Sequence, residues 1–129
     1  MLKRPFFFIF LLVLSFQVSA SCWVVNNLNG SSAYQYNNYS NTPDGFKDRT
    51  FVVNINKDKP SFTDSLEKYT VIDDKTMVGI YSTDLGTTID VIQISGDNKR
   101  LLMTRNRTNS TMKDMVASYV GDIVRQCDQ

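Results

Sequence analysis

A chain of 129 residues with 14 Lys plus Arg against 13 Asp plus Glu carries a net charge of +1. That balance excludes the strong global field that draws a protein to nucleic acid or to an anionic membrane. The absence of histidine removes Ser-His-Asp and Cys-His catalysis and the usual zinc ligand sets.

The first predicted element is an export signal. Lys3 and Arg4 form a basic head, Phe6 to Phe16 is almost wholly apolar, and Val18 and Ala20 place small side chains at −3 and −1 of a cut after Ala20. The apolar run is shorter than the roughly 20 residues of a spanning helix, so no transmembrane anchor is expected. Cleavage there leaves about 109 residues beginning at Ser21, enough for one domain with one core. Loss of Lys3 and Arg4 shifts the balance to 12 basic against 13 acidic side chains. The alternative is a lipoprotein modified at Cys22, against which Ser19 stands where an aliphatic residue is usual. Export through the general secretory route, to a periplasm or the extracellular space, would place Cys22 and Cys127, the only cysteines, in an oxidising compartment. A structural disulfide joining the two ends of the mature chain is expected.

After Cys22 the chain reads as short strands separated by turn chemistry. Cys22 to Val25 is an apolar run ended by Asn26-Asn27 and Asn29-Gly30. From Ala33 to Tyr39 the tyrosines alternate with polar residues, a period of two. Pro43-Asp44-Gly45 has the composition of a turn. Phe51, Val53 and Ile55 share one strand face. Tyr69–Ile72 and Met77–Tyr81 flank Asp73-Asp74-Lys75 as a hairpin. Ile89 and Val91 fall on one phase, Ile92 and Ile94 on the other, which calls for either two apolar faces or a bulge. Ser95-Gly96-Asp97-Asn98 turns the chain into Leu101–Arg107. This series predicts a mainly β, single-domain antiparallel barrel or sandwich over residues 21–129.

The C-terminal segment is read differently. Met112, Met115, Val116, Tyr119, Val120, Ile123 and Val124 follow helical spacing, with Thr111 and Asp114 as a variant capping box. An amphipathic C-terminal helix is therefore expected. The rival reading is a short helix followed by a closing strand from Tyr119 to Val124, with Gly121 as a bulge.

Chemistry-bearing motifs are few. Glu67 is the only glutamate and Asp73-Asp74 the only adjacent acid pair; a two-carboxylate hydrolase would need acids roughly 5–10 Å apart across a cleft. Residues 54–58 resemble the opening of a calcium loop, but Lys59 stands at the turn glycine and Ser65 at the bidentate position. Four Asn-X-Ser/Thr sequons, at Asn29, Asn38, Asn106 and Asn109, are a weak excess over chance in a chain this rich in Asn, Ser and Thr. No catalytic residue, metal site or cofactor is expected.

Two surfaces stand out as binding candidates. From Lys99 to Lys113 there are five cations and no acid, which nominates Lys99, Arg100, Arg105 and Arg107 as a basic hairpin for an anionic surface. Asp90 and Asp97 are the residues placed to neutralise it internally. The aromatic set Trp23, Tyr34, Tyr36 and Tyr39 is the second candidate, with tyrosines suited to stacking on a partner protein or a sugar. The composition points to an exported, non-enzymatic protein-binding or inhibitor-type module whose partner is another envelope or extracellular protein. The alternatives are a small-ligand carrier with an apolar barrel interior and a carboxylate-based cell-wall hydrolase.

Overall fold

A computed structural model describes residues 21–127; the export segment read over residues 1–20 lies outside the described residues. The strands are β1 (Cys22–Tyr34), β2 (Asn41–Phe46), β3 (Phe51–Asn54), β4 (Ser61–Phe62), β5 (Lys68–Asp73), β6 (Thr76–Thr83), β7 (Gly86–Ile94), β8 (Arg100–Asn109) and β9 (Met115–Gln126), with one 3₁₀ turn at Gln35–Asn37. They form one antiparallel sheet in the order β4-β3-β1-β9-β8-β7-β6-β5, with β2 also paired to β1. The sheet curls into a nearly closed barrel whose open seam lies between β4 and β5.

The long strand β1 holds the barrel together. Its first half pairs with β3 (Val25 opposite Phe51), its second half with β2 (Leu28 opposite Phe46), and most of its length with β9. The Asn26-Asn27 break expected from sequence is present only as an irregularity: Asn27 has φ 54 and the β1–β9 register slips between Asn26 and Asn29. An extra residue absorbed in this way bends a strand without ending it. Pro43-Asp44-Gly45 likewise lies within β2 rather than in a turn. That strand pairs with β1 alone in the strand order, and an edge position is where proline is tolerated.

On the inner face Val25, Leu28, Val53, Met77, Ile92 and Leu101 are fully buried, surrounded by Trp23, Phe51, Phe62 and Tyr119. The double phase of β7 comes from two apolar faces. Asp90, Ile92 and Ile94 point inward and Ile89 points out, with unbroken register against β8.

No C-terminal helix forms. Residues 115–126 are a strand, with Met115, Ala117, Tyr119 and Gly121 buried and Val116, Ser118 and Val120 exposed between them. The helical stripe arises because both faces of β9 carry large apolar residues, while two inward positions are the small residues Ala117 and Gly121. Gly121 is inward because space is short: a Cβ there would lie 2.6 Å from Val25 Cγ1. β-branched Val116, Val120, Ile123 and Val124 suit a strand, and pairing with β1 on one side and β8 on the other decides the outcome.

Cys22 and Cys127 are bonded, with Cα atoms 5.3 Å apart and a separation of 105 positions along the chain. The bond lies at the end of the β1–β9 ladder, where Cys127 N–H also donates to the Cys22 carbonyl. Among the described residues no helix is long and apolar enough to cross a membrane.

Candidate functional site

The basic stretch is divided by the strand it occupies. Arg105 faces inward, where its Nε and Nη2 clasp both oxygens of Asp90 at 2.7 and 2.8 Å and Nη2 reaches Glu67 at 3.4 Å. Asp90 is wholly buried and the Glu67 side chain is 7% exposed. Tyr69, Gly79, Asp90, Arg105 and Ala117 form one row across β5 to β9. The glycine makes room for the cluster, since a Cβ at Gly79 would meet the Tyr69 ring at 2.4 Å and Glu67 Cβ at 2.9 Å. Arg105 is thus a structural cation rather than a free one, and burial raises the Tyr69 hydroxyl pKa beside it.

At the other end of β8, Arg100 forms an ion pair with Asp122. Lys99 is exposed next to the Ser95–Asn98 turn, where Asp97 accepts from Ser95 Oγ and from the Lys99 amide; those bonds hold the Asp97 carboxyl below its ordinary range. The four cations therefore do not make one patch.

Arg107 instead joins the tyrosines. Its guanidinium lies 5.9 Å from the centre of the Tyr34 ring, which stacks on Tyr36 at 5.0 Å. Arg107 also donates to the carbonyls of Met112 and Lys113. The turn bearing Tyr36 is pinned to the β8–β9 connection: Gln35 N–H donates to the Asp114 carbonyl, and Asp114 N–H donates to Gln35 Oε1. β1 thus ends at Tyr34, short of the strand to Tyr39 expected from sequence. Asn38 and Tyr39 follow with φ 49 and 56. For tyrosine this left-handed conformation is disfavoured by about 1–2 kcal/mol, and it is held by the bond from Tyr39 N–H to the Tyr34 carbonyl. Tyr36 is 72% exposed and Tyr39 50%, whereas Trp23 belongs to the core.

Tyr39 also edges a shallow groove of about 250 Å³, lined by Thr87, Ile89, Asn106, Met115 and Val116 among others. A second groove of about 210 Å³ follows on the same side, lined by Val91, Gln93, Leu102, Ser118 and Val120. Both lie on the outward face of β7, β8 and β9. In cross-strand rows that face reads Ile80, Ile89, Asn106, Val116; then Val78, Val91, Thr104, Ser118; then Thr76, Gln93, Leu102, Val120. Every one of these side chains is uncharged in a protein with 21% charged residues. Charge returns at the margins, at Lys68 opposite Ile80, at the Arg100–Asp122 pair and, at the end of the groove beside Tyr39, at Arg107 and Asp114. Sequence reasoning missed this face. The signal was available as the uncharged alternate positions of three consecutive segments, but it emerges only when their register is known.

Two carboxylates do converge, as a hydrolase requires, yet Glu67 and Asp90 meet around a guanidinium inside the barrel. Burial and the neighbouring Asp90 raise the Glu67 pKa above its usual 4.5. The folded state then holds that proton more tightly than the unfolded one, so the contribution of Glu67 favours folding at low pH. It declines as pH rises from 4.5 through the raised value. Glu67→Gln is expected to flatten this limb and to be at least as stable as the parent at pH 7. Urea midpoints of both proteins at pH 5 and 7 check it. The difference between them isolates Glu67 from Asp73 and Asp97, whose lowered pKa values act in the opposite direction. A variant with the same pH slope as the parent would contradict the assignment.

Among the described residues no group of three His, Cys, Asp or Glu is placed to hold a metal ion. No family model matches the chain, and no curated protein or solved structure does either.

Proposed function

We propose that this chain is an exported, non-enzymatic protein-binding module that recognises another envelope or extracellular protein. The observation that carries the reading is the uncharged outward face of β7–β9, edged by Tyr39, whose backbone is held by its bond to Tyr34. Seven of the twelve side chains in its rows are apolar, and exposed apolar surface gathered on one face of a small domain marks an interaction site. The central residues of protein interfaces are depleted of charge and enriched in tyrosine and arginine. Tyr36 and Tyr39, on a turn tied by hydrogen bonds, and Arg107 on β8 supply those anchors at one end, so little entropy is lost on binding. Export rests on the N-terminal sequence and is supported by the disulfide, which persists in oxidising compartments. An anionic partner is less favoured, because Arg105 and Arg100 are already paired.

The test is affinity capture from the envelope or culture fluid with the parent protein and with Tyr39→Ala plus Val116→Lys. Both side chains are exposed, so the fold should survive. Loss of an interface anchor of this kind weakens binding roughly 30-fold or more, so a partner held by the parent should be lost by the variant. It should be retained by Lys99→Glu, at the opposite end of β8. A partner held equally by all three proteins would overturn this choice of face.

A further inference from the structure

The open seam of the barrel leads to a cavity that the protein-binding reading does not use. Its volume is about 180 Å³, and it shares no lining residue with the groove beside Tyr39 and only Met103 with the second groove. One side is apolar: Phe46, Phe51 and Phe62, with Leu28 and Met103. The rings are ordered, with Phe51 and Phe62 stacked at 5.2 Å and Phe46 set edge-on to Phe51 at 5.4 Å. The other side is polar, with Ser65 and Arg105. Arg49 stands at the entrance, 5.2 Å from the Phe51 ring centre and bonded to Asp64 at 2.9 Å.

The geometry points to a binding site for a small uncharged molecule made of one ring and one hydrogen-bonding oxygen, of the phenol class. Size comes first. An apolar cavity of roughly 150 Å³ accepts benzene, and at about 180 Å³ this one has room for one ring and one polar substituent. Chemistry comes next. The Arg105 bonds to Asp90 and Glu67 use Nε and Nη2, so Nη1 remains to donate to an oxygen in the cavity. The Ser65 hydroxyl, which shares a hydrogen bond of 2.7 Å with the Tyr69 hydroxyl, lines the same wall.

Charge selects the neutral member of the class. Arg105 is already compensated by Asp90 and Arg49 by Asp64, so a carboxylate would have no unpaired cation to meet. A ligand ammonium group would likewise find Asp64 and Asp90 already paired, and Arg49 already covers the rings it would seek. An uncharged oxygen escapes both penalties, whereas a buried charge without a partner is costly.

The experiment is an NMR titration of the disulfide-bonded protein with phenol, benzoate and benzylammonium, following the Met103 methyl and the rings of Phe46, Phe51 and Phe62. Phenol should give saturable, one-site shifts at these resonances. The two ions should bind at least about tenfold more weakly, as expected for a charge left without a buried partner. Met103→Trp, which fills the cavity, should abolish the phenol shifts. The parent titration decides the matter even if that variant does not fold. The site is refuted by the absence of saturation, by shifts confined to the outward face, or by ions that bind as well as phenol. None of these results depends on a protein partner, so the two readings stand or fall separately.

Discussion

Cys127→Ser is expected to lower the stability of the folded domain by about 2–5 kcal/mol, the usual loss for a native bridge in a small secreted protein. The bonded cysteines are 105 positions apart in the chain, and a loop of about 100 residues is worth nearly 5 kcal/mol on the chain-entropy model. Residual structure in the unfolded chain lowers that figure. The bridge also lies where β1 and β9 are already paired, from Trp23–Gln126 through to Tyr34–Met115. Its main effect is therefore on the unfolded ensemble, and the native sheet should survive its removal at low temperature. Urea unfolding of the parent with and without reductant, beside the variant, is the measurement. Reduced parent and variant should coincide, and both should unfold well before the oxidised parent. Coincidence of all three curves would show that the bond adds nothing.

The strand series was legible because alternation is a local property. Phe51 and Val53 lie inward as their spacing says, and the two phases of β7 are the two apolar faces that the sequence allowed. The disulfide was legible from its arithmetic, with two cysteines and one possible bridge. β9 was not, because Met115, Val116, Tyr119 and Val120 satisfy helical and strand spacing together when both faces are apolar. Only the neighbouring strands, distant in sequence, settle which repeat applies. The candidate site shows the same limit. Tyr34, Tyr36, Tyr39 and Arg107 were named individually and do assemble, although Arg107 and Tyr34 are 73 positions apart in the chain. Arg105 and Arg107, two residues apart, leave the same side of β8. The pairing of Arg105 with Asp90 depended on the β7–β8 register, and its third member, Glu67, lies 38 residues away.

Asp90→Ala is expected to cost about 3–5 kcal/mol, because it removes the principal partner of an inward-facing charge. Among the described residues Asp90 is the one fully buried acid, and both its oxygens bond Arg105. Without it the guanidinium keeps only Glu67, at 3.4 Å. The Arg105 side chain is 27% exposed, so water reaches part of it and the loss should fall toward the lower end of the range. Asp90→Asn preserves one hydrogen bond while removing the charge and should cost less. Asp90→Leu with Arg105→Met replaces both members with apolar side chains and should recover much of what the single alanine loses, as replacement of buried pairs often does. Chemical unfolding of the three variants distinguishes these outcomes. An alanine variant within about 0.5 kcal/mol of the parent, the ordinary effect of a surface change, would show that the cluster is idle. The order of the three decides how Arg105 should be treated in binding work. If Asp90→Ala is the most damaging, then Arg105→Glu would disable the protein by placing a third acid beside Glu67 and Asp90. A binding defect in that variant would then report unfolding rather than contact, and the surface is properly tested at Arg107 and Tyr39.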